Sequence, residues 1–389
     1  MPIVNRMAEL HNEITEWRRE IHQNPELMYD VHQTAAIVAE KLEEFGCDEV
    51  VTGIGRTGVV GIIHGRTQDS GHCVGMRADM DALPITEVRD IPHKSKVEGK
   101  MHACGHDGHT AMLLGAAKYL AETRNFDGTV AVIFQPAEEG GAGGKAMCDD
   151  KMMERFGINE VYGMHNLPGL DVGEFAIRPG PIMAGTDEFI IKITGKGAHA
   201  AMPHLGMDPI FIGSQVVVGL QAIVSRNLSP LDSLVVTVTK FNAGTAMNVI
   251  PETVVLAGTI RSLTRESRDF AISRLKEVTN GICSANNATA NIEINEGYPV
   301  TTNHDAETDK AVKVAELIAG QDNVDPKREP TMGGEDFSYM LLERPGAFIF
   351  VGNGDTAGLH HPEYDFNDEA IPYGTSYWAK LAETLMPAS

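Results

Sequence analysis

The chain has 389 residues, of which 42% are hydrophobic and 22% charged, a composition typical of soluble globular proteins. Its formal net charge is −22, from 54 acidic and 32 basic residues, and no Lys/Arg-rich run is present, so we expect no nucleic-acid partner. The length exceeds what one ordinary hydrophobic core supports, and two domains are therefore the first expectation.

Neither a membrane span nor a secretion signal is expected. No apolar run approaches the roughly 20 residues that a transmembrane helix needs, and the segment Met1–Arg19 lacks the apolar centre of a signal peptide. The cysteines are odd in number and scattered, which argues against a disulfide framework and favours a reducing, cytoplasmic location. They are Cys47, Cys73, Cys104, Cys148 and Cys283.

The first half of the chain alternates between helical and strand patterns. Apolar spacing predicts helices over residues 7–24 and 32–46, and a further helix follows the motif at 101–109. Apolar, β-prone runs predict strands at 59–63, 73–79, 128–134 and 160–166, with a helix near 143–156. This alternation is typical of an α/β domain with a mostly parallel sheet.

From about residue 184 the pattern changes to strand, helix, strand, strand, helix, strand, the order of a ferredoxin-like α+β module. The elements are expected at 188–194, 208–226, 233–241, 252–261, 265–284 and 290–295. The α/β pattern resumes at about 297, with a helix over 305–319 and a strand at 347–352. We therefore predict a domain formed by residues 1–183 and 297–389, interrupted by an inserted domain at 184–296.

The segment Met101–His109 carries the most chemical information. It places three histidines and Cys104 within eight residues, directly before a helix-like run that Asp107 is placed to cap. A thiolate and an imidazole two residues apart suit a divalent transition metal. A single Cys-x-His pair is common, however, so the metal hypothesis requires ligands from other elements.

Other polar residues follow the predicted strands. Asp79, Glu138, Glu139 and His165 lie at or just past strand C-termini, where ligands of open α/β sheets collect. The candidate ligands are Cys104, His106, Glu139, His165 and either His360 or His361, and these five exceed the needs of one tetrahedral ion and suit two divalent ions. In the Glu138-Glu139 pair, one carboxylate can bind metal while the other moves a proton, which is the chemistry of metal-assisted amide hydrolysis.

These motifs resemble, in order, those of one family: the hippurate hydrolase, N-acyl-amino-acid amidohydrolase and auxin-conjugate hydrolase branch of the dinuclear aminoacylase/carboxypeptidase metallopeptidase superfamily. The resemblance covers nearly the whole chain, from the first predicted helix to Asp368. The motifs that carry it are Arg77–Pro84, His102–His109, Gln135–Gly140, Gly163–Asn166, Gly195–Ala200 and Leu359–Pro362.

The resemblance implies a role for each site residue. Cys104 would bridge two divalent ions (Mn, Zn, Co or Ni), with His106 and His360 completing one site and Glu139 and His165 the other. Glu138 would act as general base, and Asp79 would orient the ligands without binding metal. Arg77 stands where the wider superfamily has a histidine ligand. The sequence His360-His361-Pro362 departs from the usual His-Asn-Pro or His-Ser-Pro, which leaves His361 as an alternative ligand.

For the inserted domain, the resemblance implies a lid that also mediates dimerisation. His199 would stabilise the oxyanion, in its own or the partner subunit. Asn248 and Arg261 would hold the substrate carboxylate, for which an arginine is well shaped. Gly333–Glu335 either lines the acyl pocket or forms a tight turn. The expected assembly is a homodimer or a larger homo-oligomer.

The predicted function is metal-dependent hydrolysis of N-acyl-L-amino acids (acetyl, benzoyl or similar) to a carboxylic acid and a free amino acid. A dipeptidase and an N-acetyl-diaminopimelate deacetylase are alternatives within enzymes. A non-catalytic metal-binding module is the alternative from another class.

Overall fold

A computed structural model describes residues 5–388, so the first four residues of the predicted N-terminal segment and Ser389 lie outside the described part. The chain forms two compact units. The first contains the chain up to Ile182, Thr302–Glu329 and the chain from Asp336 onward; the second contains Met183–Thr301 and Pro330–Glu335. Residues 297–301 and 330–335 thus lie in the second unit, whereas the sequence pattern predicted them to belong to the first domain, with the rest of residues 297–389.

The described residues form α-helices and β-strands in both units. The α-helices are α1 (Asn5–Gln23), α2 (His32–Glu44), α3 (His106–Thr123), α4 (Gly143–Asp149), α5 (Met152–Arg155), α6 (Pro209–Ala222), α7 (Arg265–Ala285), α8 (Asp305–Ala319), α9 (Ser338–Glu343) and α10 (Ile371–Leu385). The strands are β1 (Glu49–Ile54), β2 (Gly58–His64), β3 (Cys73–Asp79), β4 (Thr129–Gln135), β5 (Glu160–Leu167), β6 (Phe175–Ala176), β7 (Gly180–Met183), β8 (Gly185–Thr194), β9 (Ala198–His199), β10 (Leu234–Ala243), β11 (Val249–Ile250), β12 (Thr253–Ser262), β13 (Thr289–Glu296), β14 (Thr301–Asn303), β15 (Val324–Asp325) and β16 (Gly346–Gly352).

An eight-stranded sheet organises the first unit, in the order β1-β2-β4-β3-β5-β16-β6-β15. The four central strands, β4, β3, β5 and β16, run parallel to one another, whereas β2 and β6, which flank them, pair antiparallel with β4 and β16. Every residue of β3 and β16 is buried, as expected for strands covered on both faces. The predicted α/β fold with a mostly parallel central sheet is confirmed.

Some elements of this unit differ from the sequence pattern. The single helix predicted near 143–156 is two helices, α4 and α5, because Lys151 between them has a left-handed φ of 62°. Strand β1, which pairs antiparallel with β2, and the C-terminal helix α10 were not predicted.

The second unit contains a four-stranded antiparallel sheet in the order β10-β12-β8-β13. The residues of β8 alternate between buried and less buried positions, so one face of the sheet carries the core. Ile212 and Val216 of α6 pack into this core with Leu275 of α7. The order of its main strands and helices is that of a ferredoxin-like module.

No apolar run as long as a transmembrane helix was expected from the sequence, but one helical stretch has that length. Helix α6 continues through a π-helical turn to Asn227, and the resulting stretch Pro209–Asn227 is long and apolar enough to cross a membrane by length and composition. About 33% of its most apolar window is buried, and Ile212, Val216 and Leu220 belong to the core of the second unit. We interpret it as the helix that covers this sheet.

Candidate metal centre

The candidate site lies where the central parallel strands of the first unit end. Strand β3 runs parallel between β4 and β5, so the residues that follow β3 and β4 lie at the same edge of the sheet. Asp79 is the last residue of β3, Glu138 and Glu139 follow β4, and His165 lies near the end of β5.

The motif that contains Cys104 runs from a loop into the start of helix α3. The helix begins at His106, and Gly105 before it has a left-handed φ of 87°. A β-carbon at Gly105 would lie 2.2 Å from Nδ2 of Asn166 and 2.5 Å from the hydroxyl of Tyr364. Both the backbone conformation and the close packing therefore require glycine at this turn.

Asp107 does not cap the helix, contrary to the sequence expectation. It already lies inside the first turn, and no side chain caps the helix N-terminus. Its Oδ2 instead accepts hydrogen bonds from Nδ1 of His22, at 2.8 Å, and from Nη1 of Arg18, at 3.3 Å. Asp107 thus ties the start of α3 to α1.

The structure brings the five predicted metal ligands together. Single ligand atoms of Cys104, His106 and His165 lie within 4.8 Å of one another, and the same holds for Cys104, Glu139 and His360. Sγ of Cys104 lies 3.4 Å from Nε2 of His165. Cys104 is common to both groups, but they pair His106 with His165 and Glu139 with His360, whereas the resemblance implied His106 with His360 and Glu139 with His165.

Of the two adjacent histidines, His360 is the one that lies at this site. Its Nε2 is 3.2 Å from Oε1 of Glu139, and its main-chain N–H donates to the carbonyl of Ala103. His360 has a left-handed φ of 63°, which turns the chain at this point. The ring of His361 accepts instead from the main-chain N–H of Glu363.

The chemistry of this cluster fits divalent cations. Among the described residues, Nε2 of His106 is buried without a hydrogen-bond partner. Burial, together with the neighbouring carboxylates of Glu139 and Glu138, raises the pKa of the Cys104 thiol well above its usual range. A bound cation would offset this negative charge and favour the thiolate, so the ligand set suits two ions.

A tight turn presents Glu138 and Glu139. Ala137 has a left-handed φ of 54°, and the main-chain N–H groups of Glu138 and Glu139 donate to the two carboxylate oxygens of Asp81, at 2.9 and 3.1 Å. Oxygen atoms of both glutamates lie within 4.8 Å of a ring nitrogen of His106. Glu138 is 7% exposed, so its carboxylate is sheltered from bulk water beside the ligand cluster.

Asp79 lies behind the ligands. Its Oδ1 accepts from Nδ1 of His109 at 2.7 Å, and its Oδ2 accepts from Nη1 of Arg77 at 2.7 Å. Burial by itself would raise the pKa of Asp79, but His106 and Arg77 hold it well below its usual range. Arg77 therefore occupies the site as a buried cation that keeps Asp79 ionised, and Asp79 in turn lies 3.7 Å from Nε2 of His106.

Arg77 also connects to a segment that the sequence left unexplained. Asp336, which follows Gly333–Glu335, accepts hydrogen bonds from Nη2 of Arg77 at 2.9 Å and from the side chain of Gln135 at 2.7 Å. The main-chain N–H of Asp336 approaches Oε1 of Glu138 at 3.4 Å. A fixed polar network thus runs from Asp79 to Glu138.

Comparison with known proteins agrees with this geometry. The sequence profile of Peptidase family M20/M25/M40 matches residues 75–384. The chain belongs to this family. It is therefore a dinuclear metal-dependent amidohydrolase by family, and the predicted family resemblance is confirmed.

Similar proteins cover almost the whole chain. The chain is 42% identical over 382 residues to a hippurate hydrolase from Campylobacter jejuni, covering 98% of this chain and 99% of that protein. It is 41% identical to an N-acetyl-L-cysteine deacetylase from Bacillus subtilis, covering 98% and 90%. A solved structure of a dinuclear metal-binding peptidase of the M20 family from Bacillus subtilis matches with a TM-score of 0.85 and 34% identity, covering 97% of this chain and 99% of that one.

The other predicted site residues of this M20 chain lie in the second unit. His199 is on the short strand β9, which pairs with β11, and its Nδ1 accepts from the main-chain N–H of Ala201 at 3.1 Å. The carbonyl of Asn248 accepts from Ala200 at 3.0 Å, so His199 and Asn248 lie in one small, exposed substructure. Arg261 is on β12, and a β-carbon on Gly334 would lie 3.3 Å from its Nη1.

Sequence reasoning did not assign several residues around the metal cluster. Asp81, which has no role in the sequence analysis, holds the Glu138–Glu139 turn. Asn166 and Tyr364, which lie against the Cys104 loop, also have no role in the sequence analysis. Asn166 could have been identified from the sequence, because it directly follows a candidate ligand at the end of a strand. No feature of the local sequence pointed to Tyr364.

Proposed function

We propose that this protein hydrolyses the amide bond of N-acyl-L-amino acids, with an acetyl, benzoyl or similar acyl group, to a carboxylic acid and a free amino acid. The observation that carries the proposal is a sheltered carboxylate, Glu138, next to a five-ligand cluster that fits two divalent ions. Two relatives at about 40% identity are named for hippurate and N-acetyl-L-cysteine, which are both N-acyl amino acids.

The residues divide the work as follows. Cys104, His106, Glu139, His165 and His360 would hold two divalent cations, which lower the pKa of water and polarise a carbonyl oxygen when bound. Glu138 accepts the proton of the attacking water and passes it to the leaving nitrogen. The two main-chain hydrogen bonds to Asp81 hold the turn that carries Glu138 and Glu139.

Residues of the second unit complete the proposed reaction. His199 is exposed and carries an imidazole that can donate to the developing oxyanion, from its own or the partner subunit. Arg261, with Asn248, would hold the carboxylate of the amino-acid product, since a guanidinium binds carboxylates through paired hydrogen bonds. This role predicts a preference for substrates with a free α-carboxylate.

We further propose a homodimer formed through the second unit. Strand β10 is an edge strand, and Val235 and Phe241 on it are exposed. On helix α6, Phe211 is 55% and Val218 73% exposed. Apolar side chains on an edge strand and a neighbouring helix are suited to an isologous contact between two copies.

The proposed location is the cytoplasm. Cys47, Cys73, Cys104, Cys148 and Cys283 are free thiols, and burial is the main cause that raises the pKa of Cys47 and Cys73 to about 12. Such thiols are compatible with a reducing compartment.

The test of the function uses metal-free protein reloaded separately with Mn²⁺, Zn²⁺, Co²⁺ and Ni²⁺. Acetyl, benzoyl and indoleacetyl amino acids are compared with dipeptides and N-acetyl-diaminopimelate, each with and without its free carboxylate. We expect the N-acyl amino acids to be the better substrates. Faster hydrolysis of dipeptides or of N-acetyl-diaminopimelate would contradict the proposal.

The variant Glu138→Gln tests the assigned base. It should lower kcat by at least about 100-fold, because the proton acceptor is lost, while metal content by atomic absorption stays at the wild-type value. Glu43→Gln, at an exposed position of α2, is the matched control and should be fully active. Undiminished turnover by Glu138→Gln would exclude the assigned base.

Removal of the metal by a chelator distinguishes the enzyme from a non-catalytic metal-binding module. An enzyme should lose activity reversibly and stay folded, whereas loss of the fold with the metal would indicate a structural site.

A further inference from the structure

His109 belongs to the Cys104 motif but not to the five proposed ligands. It is buried, and both of its ring nitrogens are engaged. Nδ1 lies 2.7 Å from Oδ1 of Asp79, and Nε2 accepts the main-chain N–H of Asn166 at 2.9 Å. Because a main-chain N–H can only donate, Nε2 must be the unprotonated nitrogen, and the ring proton lies on Nδ1 and is donated to Asp79.

Asn166 connects this histidine to the Cys104 loop. Its Nδ2 donates to the main-chain carbonyl of Cys104 at 2.6 Å, and its Oδ1 accepts from the hydroxyl of Tyr364 at 2.7 Å. Asn166 directly follows His165, so its backbone also sets the position of that ligand. The ring of His165 packs against the ring of His109, with centroids 4.5 Å apart.

Two of the five ligands therefore depend on one asparagine, and that asparagine depends on His109. Neither Cys104 nor His165 receives a hydrogen bond from His109. His109 acts on Cys104 through Asn166, and on His165 through Asn166 and through the ring contact. Cys104 lies on the loop before α3 and His165 on β5, two elements whose separation no local sequence feature sets.

We propose that His109 is a positioning residue that sets the spacing between Cys104 and His165 by fixing Asn166 against Asp79. The inference rests on the assignment of Cys104 and His165 as metal ligands but not on the identity of the substrate. The buried connection from Asp79 through His109 and Asn166 is continuous, with contacts of 2.6–2.9 Å.

Two substitutions each remove one of the two hydrogen bonds that the ring of His109 makes. The amide of His109→Asn lies near the position of Nδ1, so it keeps a donor for Asp79 but removes the acceptor for Asn166. The amide of His109→Gln lies near the position of Nε2, so its oxygen can accept from Asn166 while the bond to Asp79 is lost. Metal-free protein is titrated with Co²⁺, and the thiolate-to-cobalt charge-transfer band reports ligation by Cys104.

The proposal predicts which of the two variants loses more cobalt affinity. Cobalt affinity should fall by about 10- to 100-fold in His109→Asn and by clearly less in His109→Gln. With cobalt saturating, kcat should fall in His109→Asn while KM stays near the wild-type value. A wild-type cobalt titration for His109→Asn, or an equal or larger loss in His109→Gln, would overturn the proposal.

If the His109 variants do not fold, Tyr364→Phe decides the question. This change removes only the hydroxyl that donates to Asn166 and should weaken cobalt binding several-fold. Tyr377→Phe is the matched control, because the buried hydroxyl of Tyr377 has no hydrogen-bond partner among the described residues. Equal cobalt binding by both tyrosine variants and the wild type would overturn the proposal. Because cobalt binding is read without substrate, it can fail or succeed independently of the proposed hydrolysis.

Discussion

His22 is a buried cation behind the metal cluster. Its Nδ1 lies 2.8 Å from Asp107, its Nε2 lies 3.4 Å from Glu87, and Arg18 contacts the same oxygen of Asp107 at 3.3 Å. Burial by itself would lower the pKa of His22, but the two carboxylates raise it to about 9. Because the unfolded histidine titrates near 6.5, folding favours the protonated ring.

This shift predicts a pH dependence of stability. The stabilising contribution of His22 is fully present below about pH 6.5 and is lost as the pH rises to about 9, on the order of 3 kcal/mol for a group this buried. Urea unfolding at about pH 6 and pH 9.5 should show this loss in the wild type. His22→Asn keeps a donor for Asp107 but cannot titrate, so the same pH dependence in this variant would contradict the assignment.

At the scale of elements, the start of α3 determines where two ligands lie. The loop before it ends at Gly105, whose backbone is left-handed and whose missing side chain leaves room for Asn166 and Tyr364. One turn later, a β-carbon on Gly108 would lie 2.3 Å from the ring of Phe366. The helix therefore approaches its neighbours closely only because both positions are glycine.

Gly105→Ala should consequently destabilise the protein and weaken metal binding together. Left-handed strain costs about 1 kcal/mol or more, and the contact with Asn166 adds roughly 1–3 kcal/mol of overpacking. Gly99→Ala is the matched control, since Gly99 also has a positive φ, of 74°, but no atom lies within 4 Å of an added β-carbon. Thermal unfolding and cobalt titration measure both effects. Similar losses in the two variants would show that backbone strain alone matters.

At the scale of the whole molecule, the proposed metal ligands come from the first unit, and the residues proposed to bind the substrate carboxylate come from the second. The second unit also carries the exposed apolar residues of β10 and α6. We therefore expect assembly to depend on the second unit and metal binding on the first.

Val218→Glu tests this division. A charge in the centre of the exposed face of α6 should disfavour a dimer, because a carboxylate would be buried without a partner. Val88→Glu, in the first unit, is the matched control, with a side chain 57% exposed. Light scattering after size-exclusion chromatography should give a monomer for Val218→Glu and a dimer for the wild type and Val88→Glu. A dimeric Val218→Glu protein would contradict the proposed interface.

Much of the fold was predictable from local patterns. Strands β3, β4 and β5 are short apolar runs whose ends carry polar residues, and period-two alternation marked β8. The break between α4 and α5 was missed because the left-handed conformation of Lys151 is not a property of its residue type. The capping prediction for Asp107 was wrong because distant partners on α1, Arg18 and His22, bind its carboxylate.

By itself, the sequence determined the family, the α/β class and the residue types able to hold two ions, because these follow from residue identity, spacing and motif order. Tertiary structure decided that His360 and not His361 lies beside Glu139, since a left-handed turn at His360 directs its ring there. It also decided which partners Asp81, His109 and Asn166 bind. Their hydrogen bonds join segments far apart in the chain, and local sequence carries no information about such distances.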